Sequence, residues 1–298
     1  MVDIILLDGG MGQELLARTG DTATPLWATQ VMIDHPGVVC AIHGDYFAAG
    51  ATIATTNSYA IHHDRLIPFG RDGLFAGLHL KALEQAAAAR VRHGAGRIAG
   101  SLGPLVASYR PDLCPPVAEA EVKYAEIARL QAPHVDLFLC ETMASVEQAE
   151  GALRGAAAGG RPVWLSVTVD DADGSRLRSG EPVAALAALI ERYHPAAVLV
   201  NCSVPEAMAA ALAVIAGFGL PFGAYANGFT HITEAFKQDA PTVDALHARS
   251  DLTPERYTEF ALGWVAQGAT IVGGCCEVGP AHIAHLAAAL KAAGHRIV

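Results

Sequence analysis

Charge is scarce in this sequence: only 17% of its 298 residues are charged, and the 20 basic residues are outnumbered by 30 acidic ones. It has no long basic run. The footprint of a nucleic-acid binder is therefore missing, and a small polar ligand is the expected partner. Long apolar runs are missing too. The longest uncharged stretch, 207–230, is interrupted at Gly217, Gly219 and Pro221. About fourteen apolar residues precede the break, short of the ~20 that a membrane-spanning helix needs, so the stretch reads as a core helix followed by a buried strand. Around Asp3 and Asp8 there is neither a basic leader nor a small-residue cleavage site. A cytoplasmic protein without a membrane segment is expected.

Cysteine is sparse as well. The six cysteines, Cys40, Cys114, Cys140, Cys202, Cys275 and Cys276, are too few for a disulfide-stapled scaffold and include no C-x-x-C pair. Reduced thiols leave thiolate chemistry or metal binding open. A glycine-rich dinucleotide turn is also absent, since LLDGGMGQELL lacks the G-x-G-x-x-G spacing.

What the chain does have is apolar content, 52% of residues, enough for a large core. It also has a regular alternation. Strand-like runs at 4–10, 51–59, 97–103, 135–142, 162–169, 196–203, 221–228 and 270–276 alternate with Ala/Leu-rich stretches of helical spacing. The clearest helices are predicted over 77–91, 119–131, 183–193, 205–216, 254–267 and 281–293. Pro205 and Pro254 suit first helical turns, Ser145 and Thr253 suit N-caps, and Gly94, Gly159 and Gly268 suit helix ends. Strands such as AAVLVNCS and WLSVTV are uncharged, as a parallel sheet covered by helices requires. Eight βα units in under 300 residues, with no linker between them, predict an α/β fold: a single-domain (β/α)8 TIM barrel over 1–298, in preference to an open doubly wound sheet.

Chemistry in such barrels sits where strands end. The polar residues there are Asp8, Thr56, Asn57, Tyr59, Ser101, Glu141, Thr142, Thr168, Asn201, Cys202, Asn227, Cys275 and Cys276. Cys275 and Cys276 follow the Gly273–Gly274 pair, whose flexible backbone lets both sulfurs turn toward one point, and Cys202 is two strands away around the rim. Three thiolates leave a tetrahedral zinc ion one open position, the pattern of a catalytic site. A substrate thiol entering that position would lose its proton and become a nucleophile for carbon. Cys40, Cys114 and Cys140 read as core packing. The polar segment 231–252 is an extended loop at the same face, and the pairs His62–His63 and His282/His285 read as ordinary surface or structural histidines.

The motifs LLDGGMGQELL, TTNSYA, GSLGP, CETM, VNCS and GGCCEVGPAHI, in this order over nearly the whole chain, resemble the homocysteine S-methyltransferases. The resemblance implies a zinc-dependent barrel that passes a methyl group to homocysteine, giving methionine. It makes Cys202, Cys275 and Cys276 the zinc ligands. Asp8 and Glu141 would hold the substrate ammonium, and backbone amides near Gly9, Gly10 and Met11 its carboxylate. Asn227 matches a position that can occupy the open zinc site when homocysteine is absent. Asn57 and Tyr59 match a motif near the thiol and the methyl donor, and Trp27 an aromatic near a cationic donor. The chain is similar to compact bacterial and plant members using S-methylmethionine or S-adenosylmethionine more than to cobalamin-dependent or vertebrate betaine enzymes, and the implied donor is a small cation: S-methylmethionine, S-adenosylmethionine or a betaine. Glu277 departs from the glycine many members carry there; its carboxylate would either favour a cationic donor or face solvent. The alternatives are another acceptor, such as selenocysteine or a different small thiol, and a zinc- or thiol-binding barrel without catalysis; oligomeric state is not written in the sequence.

Overall fold

The computed structural model describes residues 1–26, 28–238 and 242–298. Eight parallel strands follow the predicted alternation: β1 (Asp3–Leu6), β2 (Ile53–Thr55), β3 (Arg97–Leu102), β4 (Leu137–Met143), β5 (Val163–Val167), β6 (Ala197–Asn201), β7 (Phe222–Tyr225) and β8 (Ile271–Val272). β2 through β8 pair in sequence order, and β8 pairs with β1 through Ile5↔Ile271 and Leu6↔Val272. The ring closes between β1 and β2, where Leu7 bridges Ile53 and the Thr52 N–H donates to the Leu6 carbonyl at 2.7 Å. The fold is the predicted TIM-type α/β barrel.

Side-chain alternation builds two apolar layers. Leu7, Ile53, Ala99, Leu137, Leu139, Trp164, Leu199 and Ile271 fill the barrel interior, whereas Ile4, Leu6, Ile98, Phe138, Leu165, Val198 and Val200 face the helices. Every residue of β4 is buried, as expected of a strand covered on both faces. The strands are shorter than the sequence runs: at β1, β2 and β8 the chain leaves the ladder before Asp8, Thr56 and Cys275, whereas Ser101, Glu141 and Asn201 stay within β3, β4 and β6.

The helices Phe75–His93, Val117–Gln131, Pro205–Ile215, Pro254–Ala266 and Pro280–Ala292 match their predicted ranges closely. The caps form as the sequence suggests: Ser145 Oγ accepts from Gln148 N–H, Thr253 Oγ1 accepts from Arg256 N–H, and Gly94 adopts a left-handed C-cap. The 183–193 segment differs, opening as a tight turn at Val183–Leu186 before the helix Ala187–Tyr193. A ninth strand, β9 (Arg296–Ile297), was not expected; it pairs parallel with β1 at its N-terminal end, where β1 lacks a partner, and is tied by the Asp3–Arg296 ion pair. Among the described residues no helix is long and apolar enough to cross a membrane.

Candidate metal centre and amino-acid pocket

The mouth at the C-terminal ends of the strands holds about 970 Å³ of space, open on one side to solvent. Three cysteines meet in its lining. Cys202 follows β6 in a left-handed conformation (φ 52°), which turns its sulfur inward, and Cys275 and Cys276 follow β8. The Cys275 thiol donates to Cys202 Sγ at 3.0 Å, and Cys202 Sγ lies 3.8 Å from Cys276 Sγ. All three sulfurs lie within 4.8 Å of one another, and no other His, Cys, Asp or Glu group among the described residues converges in this way. A tetrahedral ion with Zn–S bonds of ~2.3 Å would space its sulfurs by ~3.8 Å, so the trio fits one ion with small adjustments. Hydrogen bonds from Cys275, Cys276 and then Tyr109 hold the Cys202 thiol well below its ordinary range. Cys275 and Cys276, bonded to Cys202, are pushed well above theirs. A divalent cation held between the three sulfurs would supply what they need to ionise together.

Gly9 and Gly274 let the β1 and β8 loops touch. A Cβ on Gly9 would stand 2.0 Å from the Val278 carbonyl oxygen, and one on Gly274 would stand 2.2 Å from Val278 Cγ1. The second glycine pair therefore serves close approach, and not the unusual backbone angles expected of it. Those angles fall on Cys202 and on Glu277 (φ 65°) instead. Left-handed geometry costs a side-chain-bearing residue about 1–2 kcal/mol. Glu277 is half-buried, burial pushes its carboxyl up, and it is not among the residues lining the cavity. Glu277→Gly is accordingly expected to stabilise the protein by about 1 kcal/mol, read as a higher Tm, with donor KM unchanged; an increased KM for a cationic donor would instead show that the carboxylate attracts it.

Two buried carboxylates line the same cavity. Asp8 accepts from Thr55 N–H at 2.7 Å and from the Thr55 hydroxyl at 2.8 Å. Glu141 accepts from the Ser101 hydroxyl on one oxygen and from the Tyr225 hydroxyl on the other, at 3.2 Å. Burial pushes both carboxyls up to about 7, and the bonds from Thr55, Ser101 and Tyr225 only partly offset it. The nearest basic group is His43, its Nδ1 4.0 Å from Asp8, but burial lowers its pKa to about 4 and keeps it neutral. Among the described residues no Lys, Arg or His lines the cavity. Among the described residues that line the cavity, the pair therefore meets no cation that would neutralise it.

The other expected site residues divide. Gly9, Gly10, Met11, Asn57 and Tyr59 line the cavity. The Gly10 N–H is already engaged, donating to Val278 O at 3.0 Å, so one of the three expected amides is spoken for; the first turn of the helix Met11–Thr19 brings Gly12 and Gln13 to the cavity in addition. Asn57 donates to Ala28 O at 3.2 Å, and the Tyr59 hydroxyl meets Ser108 Oγ at 2.8 Å. Asn227 does not line the cavity. Its side-chain oxygen accepts from Phe229 N–H at 3.1 Å, closing a local turn, and its amide nitrogen is buried without a hydrogen-bond partner. Trp27 lies outside the described residues. Cys40 and Cys140 are core residues, as expected, and His282 and His285 bond Leu252 O and Thr258.

With this geometry in view, the comparisons with known proteins decide the family. The homocysteine S-methyltransferase profile matches residues 5–290. The chain belongs to the homocysteine S-methyltransferase family. An Escherichia coli homocysteine S-methyltransferase is 31% identical over 304 residues, spanning 96% of this chain and 95% of that protein. Homocysteine S-methyltransferase YbgG of Bacillus subtilis is 25% identical over 308 residues, spanning 96% and 94%. Among solved structures, the metallated form of the homocysteine methyltransferase MmuM from Escherichia coli superposes with a TM-score of 0.80 at 28% identity, covering 96% of both chains. Membership makes this chain a methyltransferase whose acceptor is homocysteine.

Several residues of this methyltransferase pocket escape a sequence reading. Thr55, one position before the collected Thr56, grips Asp8 with both its amide and its hydroxyl. Tyr225 and Tyr109 also line the pocket, the first from inside β7 and the second from the loop after β3. Asn201, collected as a strand-end residue, clamps the Glu141–Thr142 bulge. Its oxygen accepts from Thr142 N–H at 2.9 Å and the Ser166 hydroxyl at 2.7 Å, and its amide donates to Thr142 Oγ1 at 2.8 Å.

Proposed function

We propose that residues 1–298 form one homocysteine-binding barrel in which Cys202, Cys275 and Cys276 hold zinc and the methyl donor is a small cation. The observation that supports this reading is the sulfur trio in the lining of a cavity where, among the described residues, the only acidic side chains are Asp8 and Glu141 and no basic one is present. When bound, zinc would supply a Lewis acid that lowers the acceptor thiol's pKa, so that its proton passes to solvent at neutral pH.

The protein's own residues do the rest. Asp8 and Glu141 take the ammonium of homocysteine, exchanging the cost of two buried negative charges for charge-assisted hydrogen bonds. The amide of Gly9 and the first turn of the helix Met11–Thr19 offer unpaired N–H groups and the positive end of a helix dipole to the carboxylate. With the amino-acid end fixed, the side chain points its sulfur toward the cysteines. Asn57, Tyr59, Thr29 and Phe229 form a neutral wall for the donor. The acceptor sulfur attacks the donor's methyl carbon: an S–C bond forms, the methyl-to-sulfonium (or methyl-to-ammonium) bond breaks, and its electron pair stays on the donor, which leaves as a neutral thioether or amine. Attacker and donor bring opposite charges that cancel along this path, so an apolar, water-poor mouth favours it.

A donor panel on metal-analysed protein tests the reading. S-methylmethionine or S-adenosylmethionine should yield methionine from homocysteine at a rate that tracks bound zinc, and removing zinc should abolish turnover. Full turnover in metal-free protein, or a donor that is anionic overall, would refute it.

A further inference from the structure

We propose that Tyr109 is a member of the metal centre, a positioning residue whose hydroxyl donates to the Cys202 sulfur and sets how much negative charge that sulfur offers an ion. This rests on the reading above that the three cysteines hold a metal. Tyr109 comes from the loop after β3, three strands away from β6, so its ring spans the mouth to reach Cys202. Its hydroxyl donates to Cys202 Sγ at 3.0 Å in a buried setting. Its backbone is left-handed (φ 60°), a conformation a tyrosine keeps only when its surroundings hold it there.

Those surroundings can be named. Phe236 meets the ring edge-on at 5.9 Å, and Ile232, Phe229 and Leu246 complete an apolar cover over the cysteines. The Arg178 guanidinium stands over the ring, 5.3 Å from its centre. Arg178 is fixed in turn by a two-pronged bond to Asp171, at 2.9 and 2.8 Å, and Asp171 accepts from the amides of Val204 and Ile232, both at 3.1 Å. Loops after β3, β5, β6 and β7 therefore converge on one phenol. A cation on the ring face draws electron density from the hydroxyl and makes it a stronger donor. Donors to a ligating atom tune a metal site alongside the ligands themselves, and among the described residues Cys202 is the one sulfur of the three with a phenol donor.

The test uses cobalt(II) loaded into the wild-type protein, Tyr109→Phe and Phe236→Leu, with thermal melting to show that all three are folded. Loss of the hydroxyl raises the energy of the sulfur lone pairs, so the sulfur-to-cobalt charge-transfer band of Tyr109→Phe should move to lower energy. Its cobalt affinity, read by chelator competition, should fall roughly 10–100-fold. Phe236→Leu loosens the ring's packing but keeps the hydroxyl, and should retain the wild-type band. An unmoved band and unchanged affinity in Tyr109→Phe would overturn the proposal, as would an equal shift in Phe236→Leu. A wild-type protein with no charge-transfer band fails one step earlier, at the metal reading itself, and takes this inference with it.

Discussion

Alanine in place of Cys275 is expected to leave a folded barrel that has lost its metal and its methyl transfer together. The side chain is small and half-buried, and removing its thiol opens little space, so the melting temperature should change little. The metal should not survive the change. Structural zinc sites bind with about 10–16 kcal/mol shared among four ligands, so one sulfur accounts for about 2.5–4 kcal/mol and its loss weakens binding by roughly seventy- to a thousand-fold. Without the ion, the homocysteine thiol keeps an ordinary pKa of ~8.5 and only a few per cent of it is thiolate at neutral pH. Elemental analysis and an assay for methionine check the two losses.

Cys140→Ala provides the contrast. Cys140 is fully buried inside β4, and burial pushes its thiol up, far from the low range of a reactive cysteine. Its alanine variant should lose about 1–2 kcal/mol of stability through the cavity it leaves yet bind metal as wild type does. If Cys140→Ala lost the metal, or Cys275→Ala kept both metal and turnover, the assignment of the trio would be wrong.

The division between these cysteines was legible in the sequence because a barrel strand has a period of two and ends on its chemistry. Cys140 precedes a strand-end carboxylate and faces the helices; Cys202, Cys275 and Cys276 stand past the last apolar residue of their strands. Asp8 and Glu141 occupy matching places, at the ends of β1 and β4. What period cannot show is reach across the mouth. Tyr109 sits in a loop without alternation, and its contact with Cys202 depends on a left-handed backbone that tyrosine rarely adopts. Tyr225 reads as one more apolar strand residue, since nothing local says that its hydroxyl meets a carboxylate from three strands away. β9 is two residues long, too short for any pattern, and exists because the N-terminal end of β1 would otherwise expose unpaired backbone groups. The helix Met11–Thr19 leaves little pattern for a related reason: it is short, opens on Met-Gly, and has no side-chain cap, the same features that leave its first amides unpaired at the cavity.

Glutamine at position 141 should separate stability from function in opposite directions. In wild type, burial raises the Glu141 carboxyl from 4.5 to about 7, so the folded protein holds a proton that the unfolded chain releases. A carboxyl with a raised folded pKa makes stability fall as pH climbs from about 4.5 to about 7, and the loss is then complete. At about 1.4 kcal/mol per unit, this one group costs up to about 3 kcal/mol at pH 8. Asp8, raised to about 7 as well, adds to the same slope. Glutamine has no proton to lose, and its amide can still satisfy Ser101 and Tyr225, because a hydroxyl can turn from donor to acceptor. Glu141→Gln should therefore melt higher than wild type at pH 8, with a shallower fall between pH 5 and 8. Its homocysteine site should fail. An ammonium that loses one of two buried carboxylate partners gives up about 2–5 kcal/mol, a drop in kcat/KM of roughly thirty- to several-thousand-fold. The loss should appear mainly as a raised KM for homocysteine, because the bond is made before the methyl moves and persists while it does. Added homocysteine without a donor should raise the wild-type melting temperature at pH 8, where its cation relieves both carboxylates, and leave the variant's almost unchanged. A wild-type stability that is flat from pH 5 to 8, or a glutamine variant with wild-type affinity for homocysteine, would mean that Glu141 does not face the amino group.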